Sequence, residues 1–140
     1  MDEVVFLTDE SATRALGAKL IREVKIDDVV LLIGELGAGK TTLVRGALAE
    51  LGWHGAVRSP TYNLIAEYET VPPLLHADLY RIDDKVDSLD LVEAMSGRVS
   101  LIEWPEHLPE LTAMATMTVT FEFEGDHRKA TIRRTPKTRP

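Results

Sequence analysis

Gly34-Glu35-Leu36-Gly37-Ala38-Gly39-Lys40-Thr41 spells a glycine, four residues, Gly-Lys and a hydroxyl side chain, and its flanks decide the fold. Before it, residues 29–33 are an unbroken apolar run suited to a strand buried on both faces. After it, Leu43, Val44, Ala47, Leu48 and Leu51 recur at helical spacing. The stretch therefore joins a strand to a helix. A helix start presents unpaired backbone N–H groups and a partial positive charge, which suits a phosphate. Gly34, Gly37 and Gly39 let the backbone approach without a Cβ in the way, and Lys40 carries a full charge toward the outer phosphates. Thr41 offers a hydroxyl to Mg²⁺.

The 140 residues suffice for one domain with a real core, but are few for a nucleotide kinase that carries its own lid and acceptor pocket. Without cysteine the chain has neither disulfides nor a thiolate metal site. No stretch approaches the roughly 18 apolar residues of a membrane span, and residues 1–10 are acidic where a signal peptide is basic, so a cytoplasmic protein with no membrane partner is expected. The net charge is −7, yet Arg128, Lys129, Arg133, Arg134, Lys137 and Arg139 crowd the last thirteen residues with no acid. Ten basic side chains face 23 acidic ones in residues 1–127. Such a body is a poor surface for bare tRNA or DNA, because nucleic-acid affinity rests chiefly on phosphate neutralisation. It suits a basic protein partner, and the basic end reads first as a solvated tail.

In chain order, residues 4–7 read as a strand. Thr8, Asp9 and Ser11 then supply capping side chains for a helix with Ala12, Ala15, Leu16 and Leu20 on one face, ending near Glu23. Asp27 and Asp28 turn the chain into the central strand, and Gly52 stops the second helix. Gly46 inside that helix costs about 1 kcal/mol against alanine, which implies close packing on the sheet. Ser59-Pro60-Thr61 is a stiffened bend leading into a strand over residues 62–68, and a hydroxyl there can sense a γ-phosphate or serve the turn alone.

Two apolar strands end in acids: residues 74–78 at Asp78, and residues 99–103 at Glu103, where Trp104-Pro105 stops the strand. Phosphoryl transfer needs a carboxylate at a strand end beside the phosphate loop, directly or through water on Mg²⁺, and either acid can provide it. Residues 88–95 form a short helix with Leu89, Val92 and Met95 inward and Gly97 as its stop. Asp84-Lys85-Val86-Asp87 lacks the amide that reads guanine. His76 reads as an orienting or packed residue rather than a base. Residues 116–124 and 129–133 form an antiparallel hairpin that closes one edge of the sheet, with the turn at Gly125-Asp126-His127.

GELGAGKTT, SPTYNL, HADLYR and LIEWPE, in that order, resemble the bacterial threonylcarbamoyladenosine biosynthesis ATPase family, TsaE. The phosphate loop alone is generic, whereas the pairing of DLYR with EWPE is specific to the family. The resemblance runs from Asp9 through Glu106 and weakens in the C-terminal hairpin; LDLVEAM stands where the family usually has a glycine-containing acidic helix. It implies a single-domain α/β P-loop NTPase fold, a mixed, mostly parallel sheet flanked by helices, over residues 1–134 with a basic tail at 135–140. It also implies an ATPase using ATP and Mg²⁺, weak alone, that works with the other proteins of a threonylcarbamoyl-transfer complex and meets tRNA only through that complex. By motif position, Glu35, Leu36, Gly37, Ala38, Gly39, Lys40, Thr41 and Thr42 bind the nucleotide, with Trp104 at the mouth of the site. Thr41 and Glu103 hold Mg²⁺, Asp78 is the catalytic or water-positioning acid beside Lys40, and Thr61 lies in a switch-like loop.

A small-molecule kinase and a nucleotide-gated binding module are the competing classes. The kinase should have an acceptor pocket and a basic lid helix; the binding module would tolerate loss of Asp78. For the adenine pocket the sequence offers Thr8 and Arg128 as candidates.

Overall fold

The computed structural model describes residues 2–35, 37–57, 65–80 and 88–135. Among the described residues seven strands form one sheet: β1 (Glu3–Leu7), β2 (Val29–Ile33), β3 (Ile65–Tyr68), β4 (Leu74–Asp78), β5 (Val99–Glu103), β6 (Met117–Glu124) and β7 (His127–Arg134). Their order across the sheet is β1-β7-β6-β2-β5-β4-β3. The core β6-β2-β5-β4 is parallel, and antiparallel pairs add β7 and β1 at one side and β3 at the other. This is the mixed α/β sheet expected, with β2 at its centre.

The α-helices among the described residues, α1 (Glu10–Glu23), α2 (Lys40–Glu50) and α3 (Ser88–Met95), complete the layers. Alternation along β2 divides the core. Val30 and Leu32 face α1 and α2 with Leu16, Leu20, Leu43, Val44 and Leu48. Val29 and Leu31 face the opposite layer, where Leu91, Met95 and Leu111 come from α3 and a 3₁₀ segment, Pro109–Met114. Continuous apolar runs such as residues 29–33 are what a strand covered on both faces requires.

α1 is capped by Asp9, whose Oδ1 accepts the Ala12 amide at 2.8 Å. It crosses α2 through two glycines. A Cβ on Gly17 would lie 2.0 Å from the Leu43 carbonyl oxygen, and one on Gly46 would lie 2.0 Å from that of Arg14. Gly46 thus permits contact between helices, not contact with the sheet as the sequence suggested. Ala15 is exposed, and the buried stripe of α1 is Thr13, Leu16, Gly17, Leu20 and Ile21.

Further expectations are corrected at the edges. Leu89 is 62% exposed and α3 buries Leu91 instead. The hairpin β6-β7 does not close the sheet, because β1 pairs outside it. Four of the six C-terminal cations, Arg128, Lys129, Arg133 and Arg134, lie on β7, not in a tail. Arg134 pairs with Glu3 and Glu23, Arg133 with Asp2, and Lys129 with Glu124. No helix among the described residues is long and apolar enough to cross a membrane.

Candidate active site

β2 delivers the chain to the loop before α2. Gly34 adopts φ 154°, and a Cβ there would come within 3.0 Å of Phe121 Cβ. Gly39, at φ 115°, is the N-cap of α2 and supplies no side-chain cap. The first amides of α2 therefore have no side-chain cap. They open onto a cavity of about 370 Å³ lined by Gly37, Gly39, Lys40, Thr41 and Thr42 from the loop and helix.

Parallel pairing brings the acids to the same edge. In the register of β4 and β5, Asp78 stands beside Glu103, and Glu103 stands beside Leu32 of β2. Both acids line the cavity. Thr41 Oγ1 donates to Glu103 Oε2 at 2.9 Å. The same oxygen is met at 2.5 Å by His76 Nε2 from β4, and both of these side chains are buried. Asp78 Oδ1 accepts the Tyr80 amide at 3.0 Å. Burial pushes the Asp78 carboxyl above its ordinary value, opposed first by the Tyr80 amide and reinforced by the charge of Glu103.

Lys40 is nearly buried, and its Nζ donates to the Gly34 carbonyl at 2.5 Å. The same ammonium lies 3.7 Å from the centroid of the Trp104 ring, a cation–π contact. Desolvation lowers the Lys40 pKa, while the charges of Glu103, Asp78 and Glu106 raise it. Trp104 reaches this place because it adopts a left-handed φ of 58° immediately after β5, with Pro105 opening a 3₁₀ turn behind it. Its ring stacks on His107 at 5.8 Å and meets Tyr80 at 5.0 Å. His107 is itself fixed, its Nδ1 donating to the Leu79 carbonyl at 2.6 Å.

Of the residues expected at the site, Gly37, Gly39, Lys40, Thr41, Thr42, Asp78, Glu103 and Trp104 line the one cavity. Glu35 is exposed and off the lining, and Ala38 turns its methyl into the core. Leu36 and the Ser59-Pro60-Thr61 bend lie outside the described residues. Thr8 is exposed and not part of the cavity, whereas Arg128 is: its Nη2 donates to the Gly37 carbonyl at 3.0 Å and its guanidinium lies 5.4 Å from the Phe123 ring.

Glu10 and Thr13, also on the lining, were missed. Their spacing of three places them on one side of α1, but which side meets the cavity depends on the glycine crossing with α2. The link from His76 to Glu103 carried a weak signal, since residues 76 and 78 share a strand face.

The family model described as threonylcarbamoyl adenosine biosynthesis protein TsaE matches residues 7–134. The tRNA threonylcarbamoyladenosine biosynthesis protein TsaE of Streptomyces coelicolor is 43% identical over 106 residues, covering 71% of this chain and 72% of that protein. Its namesake from Synechocystis is 40% identical over 113 residues, 76% of this chain and 72% of that one. The crystal structure of Bacillus subtilis YdiB superposes with a TM-score of 0.77 at 28% identity, covering 94% of this chain and 84% of the other. With a family model spanning nearly its whole length and relatives this similar, the chain belongs to the TsaE family.

Proposed function

We propose that the chain binds Mg-ATP in this cavity, hydrolyses it slowly, and in concert with partner proteins supports threonylcarbamoyl transfer to the tRNA adenosine beside the anticodon. One observation carries the reading: Lys40, Thr41, Asp78 and Glu103 converge on the open amides at the start of α2. The biosynthetic role rests on the names of the family and its relatives. Loop amides from Glu35 to Thr42 would cradle the phosphates, with Trp104 at the mouth and Thr61 answering the γ-phosphate.

The donor set fits Mg²⁺. Among the described residues there is no cluster of three or more His, Asp or Glu ligands. Thr41 and Glu103 instead pair one hydroxyl with one carboxylate beside an anion site, and Mg²⁺ is commonly held by one or two protein oxygens with phosphate and water completing the shell. When bound, the ion neutralises charge on the phosphate oxygens. Lys40 exchanges the Gly34 carbonyl for phosphate oxygens. Asp78, raised in pKa by burial, orients the attacking water and accepts its proton.

ATP turnover by the purified chain, alone and with prospective partner proteins added one at a time, tests the reading. Slow basal hydrolysis accelerated by a partner, with modified tRNA formed only when the chain is present, is expected. Absence of ATP binding would overturn the whole reading, whereas tight binding with no turnover under any condition would leave a nucleotide-gated binding module.

A further inference from the structure

His76 is a buried polar side chain beside the two acids to which the proposed chemistry gives no task. It lies on β4 two residues before Asp78, and its side chain is fully buried. Its Nε2 meets Glu103 Oε2 at 2.5 Å, on the oxygen that also accepts the Thr41 hydroxyl. Its Nδ1 is buried with no hydrogen-bond partner among the described residues. A neutral imidazole has one N–H and one bare nitrogen, so a carboxylate facing Nε2 assigns the proton to Nε2 and leaves Nδ1 bare.

Core filling does not account for this arrangement. The neighbouring positions Leu74 and Leu75 show that β4 accepts leucine in full burial, and leucine carries no polar group to desolvate. What the imidazole adds is a donor aimed at one carboxylate oxygen. Without it, Glu103 would be held at that oxygen by the Thr41 hydroxyl alone, within reach of the field of the Lys40 charge. Among the described residues Lys40 is held by Gly34 and Trp104 and not by either acid.

We propose that His76 is a positioning residue: its Nε2–H fixes Glu103 Oε2 against Thr41 and so sets the affinity of the site for the divalent cation. The inference rests on the assignment of Glu103 to Mg²⁺. Partners that orient a metal ligand typically change metal affinity by about 10- to 100-fold when removed. Such a partner acts on the metal and not on the nucleotide.

The test compares the wild-type chain with His76→Leu, which removes the donor, His76→Gln, which keeps an N–H near the Nε2 position, and Glu103→Gln. ATP affinity is measured by calorimetry in EDTA and across a Mg²⁺ titration, with Tm recorded for each variant. His76→Leu should need at least about tenfold more Mg²⁺ to tighten ATP binding, with its ATP affinity in EDTA unchanged, and His76→Gln should recover most of that shift. A residue of purely structural importance would lower Tm and leave the Mg²⁺ midpoint in place, which would overturn the proposal. Imidazole ¹⁵N spectra of the chain without nucleotide report the contact itself: a protonated Nε2 and a bare Nδ1 are expected, both perturbed in Glu103→Gln. The opposite tautomer would overturn the proposal independently of any metal. If the spectra agree but Glu103→Gln retains the wild-type Mg²⁺ midpoint, the metal assignment of Glu103 has failed, and the role of His76 falls with it.

Discussion

Thr41 and Glu103 lie 62 residues apart and touch through a 2.9 Å hydrogen bond, hydroxyl to carboxylate. The contact exists because β2 and β5 are parallel neighbours whose C-terminal ends reach the same edge. Asp78 stands beside Glu103 on the next strand yet binds only the Tyr80 amide among the described residues. Adjacent acids with different partners should divide their work. Glu103→Ala is expected to weaken Mg²⁺-dependent ATP binding by about tenfold or more. Asp78→Ala should keep binding and lose roughly 10²-fold or more in turnover. Calorimetry and single-turnover hydrolysis on the two variants decide it; normal binding and normal rates in both would remove the assigned roles.

Lys40→Ala should abolish most ATP affinity while the fold survives. The side chain is nearly buried, but its contacts are one carbonyl and one aromatic face at the cavity, not the packed core. A charged hydrogen bond to phosphate contributes about 2–3 kcal/mol, which is roughly 30- to 150-fold in Kd. Unchanged affinity in a folded variant, checked by circular dichroism, would contradict the role.

Asp78 also predicts a dependence of stability on pH. Its carboxyl is raised above 3.8 by burial, so between that value and the raised one the folded state binds more proton than the unfolded state. Stability attached to Asp78 is therefore fully present at acid pH and is lost as pH rises through the folded pKa. Asp78→Asn keeps an oxygen for the Tyr80 amide and removes the charge. Its Tm should exceed that of wild type at neutral pH, with the difference shrinking below pH 3.8, while turnover falls. A lower Tm at neutral pH would mean that the charge is compensated in the fold.

How much of this was legible in the sequence depended on whether a residue's environment is local. Residues 29–33 announced a doubly covered strand, and the acids at the ends of β4 and β5 were evident, because burial and termination are written along the strand itself. The inward face of α3 was not: Leu89, Leu91, Val92 and Met95 offer two apolar stripes, and the sheet selects the one with Leu91 and Met95. The place of β1 outside β7 was equally hidden, since a pairing between the two ends of the chain leaves no local trace. Arg128 reaches the cavity through the lateral order β2-β6-β7, and Glu10 through the crossing of α1 with α2; neither is written in the local sequence.

That crossing makes a sharp prediction of sign. On an exposed helix Gly→Ala gains about 1 kcal/mol. At Gly17 and Gly46 the added carbon would fall 2.0 Å from a backbone oxygen of the opposite helix. Overpacking of this kind typically costs about 1–3 kcal/mol. Gly17→Ala and Gly46→Ala should each lower the midpoint of chemical denaturation; a rise in either would show that the helices part without cost.

Fast hydrolysis in phosphate-loop enzymes usually requires an extra cation at the γ-phosphate, and a finger supplied by another protein is worth on the order of 10³-fold or more. Among the described residues lining the cavity the cations are Lys40 and Arg128, and Arg128 is bound to the Gly37 carbonyl on the loop. Arg58 and Arg81 fall outside the described residues. The other cations of β7 are engaged by Asp2, Glu3, Glu23 and Glu124, so the basic C-terminal strand is largely neutralised where it folds. Turnover by the isolated chain should therefore be very slow and should rise when a protein partner closes over residues 34–41. Bare tRNA should bind weakly at physiological salt, because among the described residues most cations of the basic strand are already paired with acids and few are left to displace counterions. Brisk hydrolysis by the chain alone would contradict the missing cation, and tight, salt-resistant binding of bare tRNA in a filter or fluorescence assay would contradict the neutralised strand.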